Sequence, residues 1–321
     1  MVQYSYHEPV LVPEIIAFLV TKPGIYVDGT LGGGGHSLAI LRALHDAYSS
    51  EGSVLIGIDQ DGAALQAAAE NLKEFEACTV LVKGNFKALD SIVKSVCREK
   101  GLQPKVQGIL LDLGVSSFQI DTAERGFSYL REGPLDMRMD MDSSFSAAHI
   151  VNNYEEKELA RLFYIYGEEP RSRSIARAIA AYRLKNGPVS GTEELAGIIR
   201  GNAAGRDKII KTLSRVFQAL RIEVNSELEV LRHALDDGID CLDHQGRMAV
   251  ISYHSLEDRI VKTVFAEKAR SDWGPKGVGL REPLERGAVS LVTRKPVVAA
   301  RQEIDSNPRA RSAKLRVIEK I

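Results

Sequence analysis

Through the first third of the chain, short apolar runs that end in a charged residue alternate with amphipathic stretches. The runs are Ile25–Asp28, Val54–Asp59, Thr79–Lys83 and 109–112. The last is continuously apolar up to Asp112, as expected of a strand covered on both faces. Stretches 36–48, 62–74 and 87–100 between them read as helices. This alternation predicts a doubly wound α/β sheet. Ahead of it, the apolar segment 10–20 contains Pro13 and Glu14 and reads as a short capping helix, not a signal peptide.

The pattern then breaks. Residues 121–221 offer no convincing strand. Gly133, Pro134 and the run Met137, Met139, Met141 suggest a loop, and helical segments follow at 155–166, 172–184, 192–200 and 207–220. Thr192 with Glu193 and Glu194 looks like a helix start, and Asn186-Gly187-Pro188 like a stop. The reading is an all-helical domain, 121–221, inserted into a sheet domain made of 1–120 and 222–321. The α/β pattern resumes with a helix at 224–241, a strand at 247–253 and a helix at 256–269. Two late strands, 289–293 and 313–319, suit an antiparallel hairpin at the sheet edge.

Composition changes this picture little. At 321 residues, 44% apolar and 26% charged, the chain reads as an ordinary globular protein of one large domain or two. Its net charge of −1 announces no nucleic-acid partner, so any such partner has to be argued from local charge. Cys78, Cys97 and Cys241 are scattered without metal spacing, which points to no metal and to a reducing, cytoplasmic setting. No apolar stretch approaches a membrane span.

Candidate chemistry gathers at the strand ends. Val27-Asp28-Gly29-Thr30-Leu31-Gly32-Gly33-Gly34-Gly35-His36 joins a strand to a helix. Four consecutive glycines there let the backbone pass close to a ligand. Asp59 ends the next strand, where a carboxylate can accept ribose hydroxyls. The dinucleotide fingerprint G-x-G-x-x-G fails, since its last position falls on Ser37 or Leu38. The alternation Asp28, Thr30, Gly32, Gly34 instead suits the S-adenosylmethionine (SAM) loop of methyltransferases, as does the late hairpin. SAM carries a sulfonium and an ammonium, which a nearby carboxylate such as Asp28 attracts, whereas it would repel a pyrophosphate.

Asp28, Asp59 and Asp112 all stand at carboxyl ends of strands, where an open sheet binds ligands. Phe86, after the third strand, either stacks on adenine or is an ordinary core ring. An exocyclic amine is a poor nucleophile, so its methylation needs an acceptor for its protons. Asp112, Ser116 and Ser117 are the candidates. No cysteine lies nearby to form a ring-carbon adduct, and the D/N-P-P-Y tetrapeptide is missing. Ser255 with Asp258 reads as a weak capping box. Tyr253 and His254 are candidates for stacking or for accepting a proton. Between 170 and 221, about eleven Arg and Lys face about three acids. Arg171, Arg173, Arg177, Arg183 and Lys185, with Tyr182 among them, suggest a phosphate-contacting surface.

Several blocks resemble one family. They are His7-Glu8-Pro9-Val10-Leu11, Asp28 to Ser37, Gly57-Ile58-Asp59-Gln60-Asp61, Leu111 to Ser117, Arg125-Gly126-Phe127-Ser128, Leu220 to Asn225, Ser252 to Arg259 and Asn307 to Ser312. Together they resemble the bacterial small-subunit ribosomal RNA methyltransferase H family. The resemblance implies a Rossmann-like SAM-methyltransferase sheet with a helical RNA-recognition insertion. It implies N4-methylation of a cytidine in the decoding region of small-subunit (16S) ribosomal RNA, on the RNA or the 30S subunit, with SAM as cofactor. It places cofactor contacts on Gly34, Gly35, His36, Asp59, Phe86, Asp112 and Gln119; the catalytic role is assigned to Asp112 from its place at the fourth-strand end. A homodimer is left open. Phe118 stands where the family often has proline. The competing expectations are a methyltransferase of DNA or of a small molecule, and a nucleotide-sensing RNA-binding module without turnover.

Overall fold

The computed structural model describes residues 9–49, 52–202, 206–274 and 282–321, with the backbone alone at 117, 206 and 207. The elements run α1 (Val12–Leu19), β1 (Ile25–Asp28), α2 (Gly35–Tyr48), β2 (Val54–Asp59), α3 (Gly62–Asn71), β3 (Thr79–Lys83), α4 (Leu89–Lys100) and β4 (Val106–Asp112). Then come α5 (Ser117–Asp121), α6 (Ala147–Asn153), α7 (Glu156–Ile165), α8 (Ser172–Asn186), α9 (Thr192–Asn202), α10 (Arg206–Asn225) and α11 (Glu227–Cys241). The chain ends with β5 (Leu242–Ser252), α12 (Ser255–Ala269), β6 (Val289–Leu291), α13 (Arg301–Ser306) and β7 (Lys314–Lys320). No helix among the described residues is long and apolar enough to cross a membrane.

Two compact units result, Met1–Gly114 with Leu228–Ile321, and Val115–Glu227. The first is built on a seven-stranded sheet of order β3-β2-β1-β4-β5-β7-β6. Strands β1 to β5 pair in parallel, and β7 runs antiparallel to both β5 and β6. Alternate residues feed two cores. Val27, Ile56, Ile109, Leu111 and Val250 pack with apolar residues of α4, α11 and α12. Tyr26, Leu55, Leu110 and Ile251 face the other way, against α1 and α2. Covering both faces explains why these strands read as unbroken apolar runs. The strand order reverses between β1 and β4, so a crevice is expected at the carboxyl ends of these two strands.

The second unit is helical around its own core, which includes Ile150, Leu159, Phe163, Ile175, Leu195 and Leu220. Its long loop after α5 is stapled by two of the motif residues. Buried Arg125 donates to the carbonyls of Arg138 and Met139 at 3.0 and 3.2 Å. Asn225 donates to Met137 O and accepts from Met139 N–H, both at 2.8 Å. These two blocks therefore serve the loop's backbone.

The compact helical unit, Val115–Glu227, extends a few residues beyond 121–221 on each side, since Val115 and Val224 pack into the helical core. Two expectations about elements are corrected. The helix expected at 224–241 is two pieces, since α10 continues to Asn225 and Ser226 turns left-handed (φ 49°) before α11. Strand β5 begins at Leu242, earlier than 247, because the polar stretch 243–246 hides an extended but irregular register opposite Val106 and Gly108.

Candidate active site

The glycine turn is built by backbone hydrogen bonds from three strands. Gly29 N–H donates to Leu110 O at 2.9 Å, and Leu31 N–H to Ile58 O at 3.0 Å. A Cβ at Gly29 would come within 2.5 Å of Leu111 Cδ2, so the turn can lie this close to β4 only without a side chain. Gly32 and Gly34 are left-handed, with φ of 51° and 78°. A Cβ on Gly32 would meet nothing nearer than Thr30 O at 3.9 Å, so the outer side of the turn is open space. Gly34 is the N-cap of α2 and provides no side-chain cap. The first N–H groups of α2, on Gly35 and His36, have no intrahelical acceptor and lie at the positive end of the helix dipole.

Asp59 closes the turn from β2. Its Oδ2 accepts Gly32 N–H at 2.8 Å, and its Oδ1 accepts Asp61 N–H at 2.9 Å. Burial pushes this carboxyl up to about 6, against the pull of those two N–H groups. Asp28, grouped by sequence with the ligand-facing acids, is instead fully buried and consumed locally. Its Oδ2 accepts Ser37 Oγ–H at 2.7 Å and its Oδ1 accepts Thr30 N–H at 3.2 Å. It braces the turn from beneath, and burial raises its carboxyl.

Asp112 ends β4 within a network that sequence did not disclose. Tyr253 Oη–H, from just beyond β5, donates to Asp112 Oδ1 at 2.8 Å. Asp112 N–H donates to Thr30 Oγ1 at 2.6 Å. His36 Nδ1 lies 3.6 Å from Asp112 Oδ2, while His36 Nε2 is 2.8 Å from Val10 O and must donate to it. Burial raises the Asp112 carboxyl, and His36 and the Tyr253 hydroxyl oppose that rise. About 24% of its side chain stays exposed, so the group is anchored but reachable. Burial and the neighbouring Asp112 drive the Tyr253 phenol far upward, so it acts as a donor and not as a proton acceptor.

Tyr253 is set by the turn into α12. The expected Ser255–Asp258 capping box gives way to one between His254 and Glu257. Buried Glu257 accepts the N–H groups of Tyr253 and His254 at 2.8 and 3.3 Å, and the His254 ring accepts Glu257 N–H. His254 is thereby occupied as a cap. The spacing His254-x-x-Glu257 was a readable signal, since a histidine nitrogen can stand in for a hydroxyl at an N-cap.

The remaining candidates divide. Phe86 follows β3, half-buried, with its Cβ 3.3 Å from where a Gly29 Cβ would stand. Gln119 belongs to the helical unit, buried at the third position of α5. Its Oε1 accepts Ser116 N–H at 3.1 Å, and Ser116 Oγ accepts Gln119 N–H at 3.2 Å. Ser116 is therefore a helix cap. The side chain of Ser117, and His7 and Glu8 of the first motif, lie outside the described residues.

Chemically, β1, β2 and β4 bring together a bare turn whose first helical N–H groups find no acceptor among the described residues, one carboxylate that borders it and another held by a phenol. That set suits a ligand with an anionic end and ribose hydroxyls, beside an acceptor for a polarised N–H. Comparison with known proteins agrees. The chain matches the MraW methylase family over residues 4–321. It is 75% identical over 321 residues to a protein of Pelodictyon phaeoclathratiforme (strain DSM 5477 / BU-1) named ribosomal RNA small subunit methyltransferase H, covering 100% of this chain and 97% of that one. A protein of the same name from Chlorobium phaeobacteroides (strain DSM 266 / SMG 266 / 2430) is 65% identical over 321 residues, covering 100% and 98%. Among solved structures, an rRNA methylase from Streptococcus thermophilus covers 97% of this chain and 93% of its own at a TM-score of 0.41 and 11% identity, a likeness too distant to add to the sheet order. The chain belongs to the MraW methylase family.

Proposed function

We propose that this protein transfers a methyl group from SAM to the exocyclic N4 of a cytidine in the decoding region of small-subunit ribosomal RNA, in the cytoplasm. The names of its relatives support the RNA substrate. The observation that carries the chemistry is Asp112, clamped by Tyr253 at 2.8 Å and by Thr30 through its own N–H, yet still a quarter exposed at the end of β4.

The residues present fit SAM. The N–H groups of Gly35 and His36, with no acceptor among the described residues, suit its carboxylate. The open side of Gly32 admits a close ligand, and Asp59 is the partner for ribose hydroxyls. Phe86 offers a half-buried ring for the adenine. When bound, SAM supplies an electrophilic methyl group on a sulfonium.

The rest falls to the chain. Cytidine N4 keeps its lone pair in the ring until one of its protons is engaged. Asp112 accepts that proton's hydrogen bond, which returns electron density to nitrogen as the new bond forms. Tyr253 holds the carboxylate and Thr30 the backbone that carries it, so little reorganisation is needed during reaction. The surplus amine proton passes to the Asp112 carboxylate and then to water through its exposed edge. The helical insertion, Val115–Glu227, is assigned to RNA recognition.

The test is mass spectrometry of ribosomal RNA nucleosides from cells with and without the protein, joined to radiolabel transfer from SAM in vitro. The expected result is an N4-methylated cytidine present only with the protein, and loss of transfer by at least a hundredfold in Asp112→Ala. Full transfer in that variant removes Asp112 from the mechanism. Label entering DNA but not ribosomal RNA would reject the substrate.

A further inference from the structure

We propose that the outward face of the α7–α8 hairpin is a docking surface for the sugar–phosphate backbone of the RNA substrate, with Arg173 and Arg177 of α8 and Lys157 and Arg161 of α7 meeting phosphates and Tyr164 stacking on a base. The inference rests on the RNA reading above and gives it an address.

The structure first separates cations that are used within the unit from those that are not. Arg183 is used, with its guanidinium donating to Val151 O at 2.7 Å and Tyr154 O at 2.5 Å. Tyr182 donates to Glu194 Oε1 at 2.5 Å. Arg215 is engaged by buried Glu169 at 3.5 Å. Arg171, Arg173, Arg177 and Lys185 stay exposed. Helix α8 contains no acidic residue at all, and its Arg173 and Arg177 sit four apart on one side. Like charges at that spacing weaken a helix, and a face that is merely solvated usually intersperses acids. The acids of the hairpin stand at the start of α7, where Glu155, Glu156 and Glu158 are exposed. Glu156 lies 3.7 Å from Arg177, but these side chains are 47% and 77% exposed, and so open a pair offsets little of the field.

Helix α7 matches this face. Lys157, Arg161 and Tyr164 follow one another at i, i+4 and i+7 and are exposed, whereas Leu159, Leu162 and Phe163 turn to the core. Arg177 meets Glu156 at the start of α7, and Arg183, further along α8, meets Val151 O and Tyr154 O just ahead of α7, so the two helices run antiparallel. Following α7 to its end therefore brings Tyr164 level with the start of α8, where Arg171 and Arg173 stand. Tyr164 is 67% exposed. An aromatic ring in water beside guanidinium groups is the combination that single-stranded RNA recognition uses, stacking for the base and charge for the phosphate. Ala180 and Ala181 continue the same side of α8 and let a strand lie close.

The experiment uses the full chain and two variants. One replaces Lys157, Arg161, Arg173 and Arg177 by alanine, and the other is Tyr164→Ala. All five positions are exposed, so SAM binding and circular dichroism should match the wild type. Binding of a small-subunit ribosomal RNA transcript is measured against salt concentration, and methyl transfer to small ribosomal subunits is measured at saturating SAM. For the fourfold variant we expect the plot of log K against log salt to flatten by about three, from about 0.7 for each cation lost on a single strand. Its KM for subunits should rise at least tenfold with kcat held. Tyr164→Ala should weaken binding about fivefold or more with no change of slope. A wild-type slope in the fourfold variant overturns the surface, as does a loss of self-association in place of RNA binding. If the wild type itself fails to methylate ribosomal RNA, the proposed function fails, and the slope still judges the surface.

Discussion

Asp59 allows the proposed cofactor site to be tested through pH alone. Its two carboxylate oxygens each accept a backbone N–H, at 2.8 and 2.9 Å, and ribose hydroxyls would use their remaining lone pairs. A proton on either oxygen removes an acceptor and opposes an N–H. Burial has pushed this carboxyl up to about 6, so the loss falls within an accessible pH range. If only the ionised form binds, SAM affinity is flat above about pH 7 and falls about tenfold per pH unit below 6, or about 1.4 kcal/mol each. At pH 6 about half the sites hold a proton, so binding releases about half a proton. Calorimetry in buffers of different ionisation enthalpy measures that release directly. Asp59→Ala should bind weakly with a flat profile. A constant Kd from pH 8 to 5 in folded wild-type protein, or tighter binding in acid, would refute the reasoning. The sign for stability is opposite. A carboxyl raised from 3.8 to about 6 favours the folded state in acid, so its contribution, on the order of 3 kcal/mol, is present below about pH 4 and lost as pH rises through 6.

Other outcomes follow from single contacts. Tyr253→Phe removes the donor at Asp112 Oδ1, a bond worth about 1.5–3 kcal/mol to a carboxylate. The acid limb of kcat should move to higher pH with KM for RNA unchanged, and an unmoved limb would show that the phenol does not hold Asp112. Gly34→Ala forces a side chain onto φ 78° with Cβ 3.3 Å from Ala68 and Leu72, costing about 1–2 kcal/mol. Its melting temperature should fall by about 2–8 °C, and its SAM affinity should fall with it, as calorimetry would record. Arg183→Ala loses two carbonyl contacts and should destabilise the protein by about 2 kcal/mol in denaturant melts. Its RNA salt slope should stay that of the wild type, unlike the fourfold surface variant.

Much of the fold could be read because each strand packs on both faces, so its apolar run is unbroken and its terminal acid marks the carboxyl edge. Ile25–Asp28, Val54–Asp59 and Thr79–Lys83 have the bounds that the pattern gives. The reading failed where local polarity and extended structure disagree, as in the start of β5, and where one residue breaks a helix, as Ser226 does between α10 and α11. Motifs were harder. Arg125, Asn225 and the His254–Glu257 cap stand out as blocks in sequence, yet their work is to hold backbone in place. Their partners lie near in space and far along the chain, or one register away from the expected cap.

The sequence by itself determined the order of the seven strands and of the longer helices, the glycine turn, and which acids end β1, β2 and β4, because these depend on periodicity and on backbone freedom at single residues; the short helices α5, α6 and α13 were not legible. Only the tertiary structure decided that Asp28 is a brace, that Asp112 is gripped by Tyr253 from across 141 positions of chain, and that Arg183 is internal while Arg173 faces water. The reason is physical. Identical side chains take different roles according to burial and to the donors that folding brings within about 3 Å, and neither is encoded in local sequence spacing.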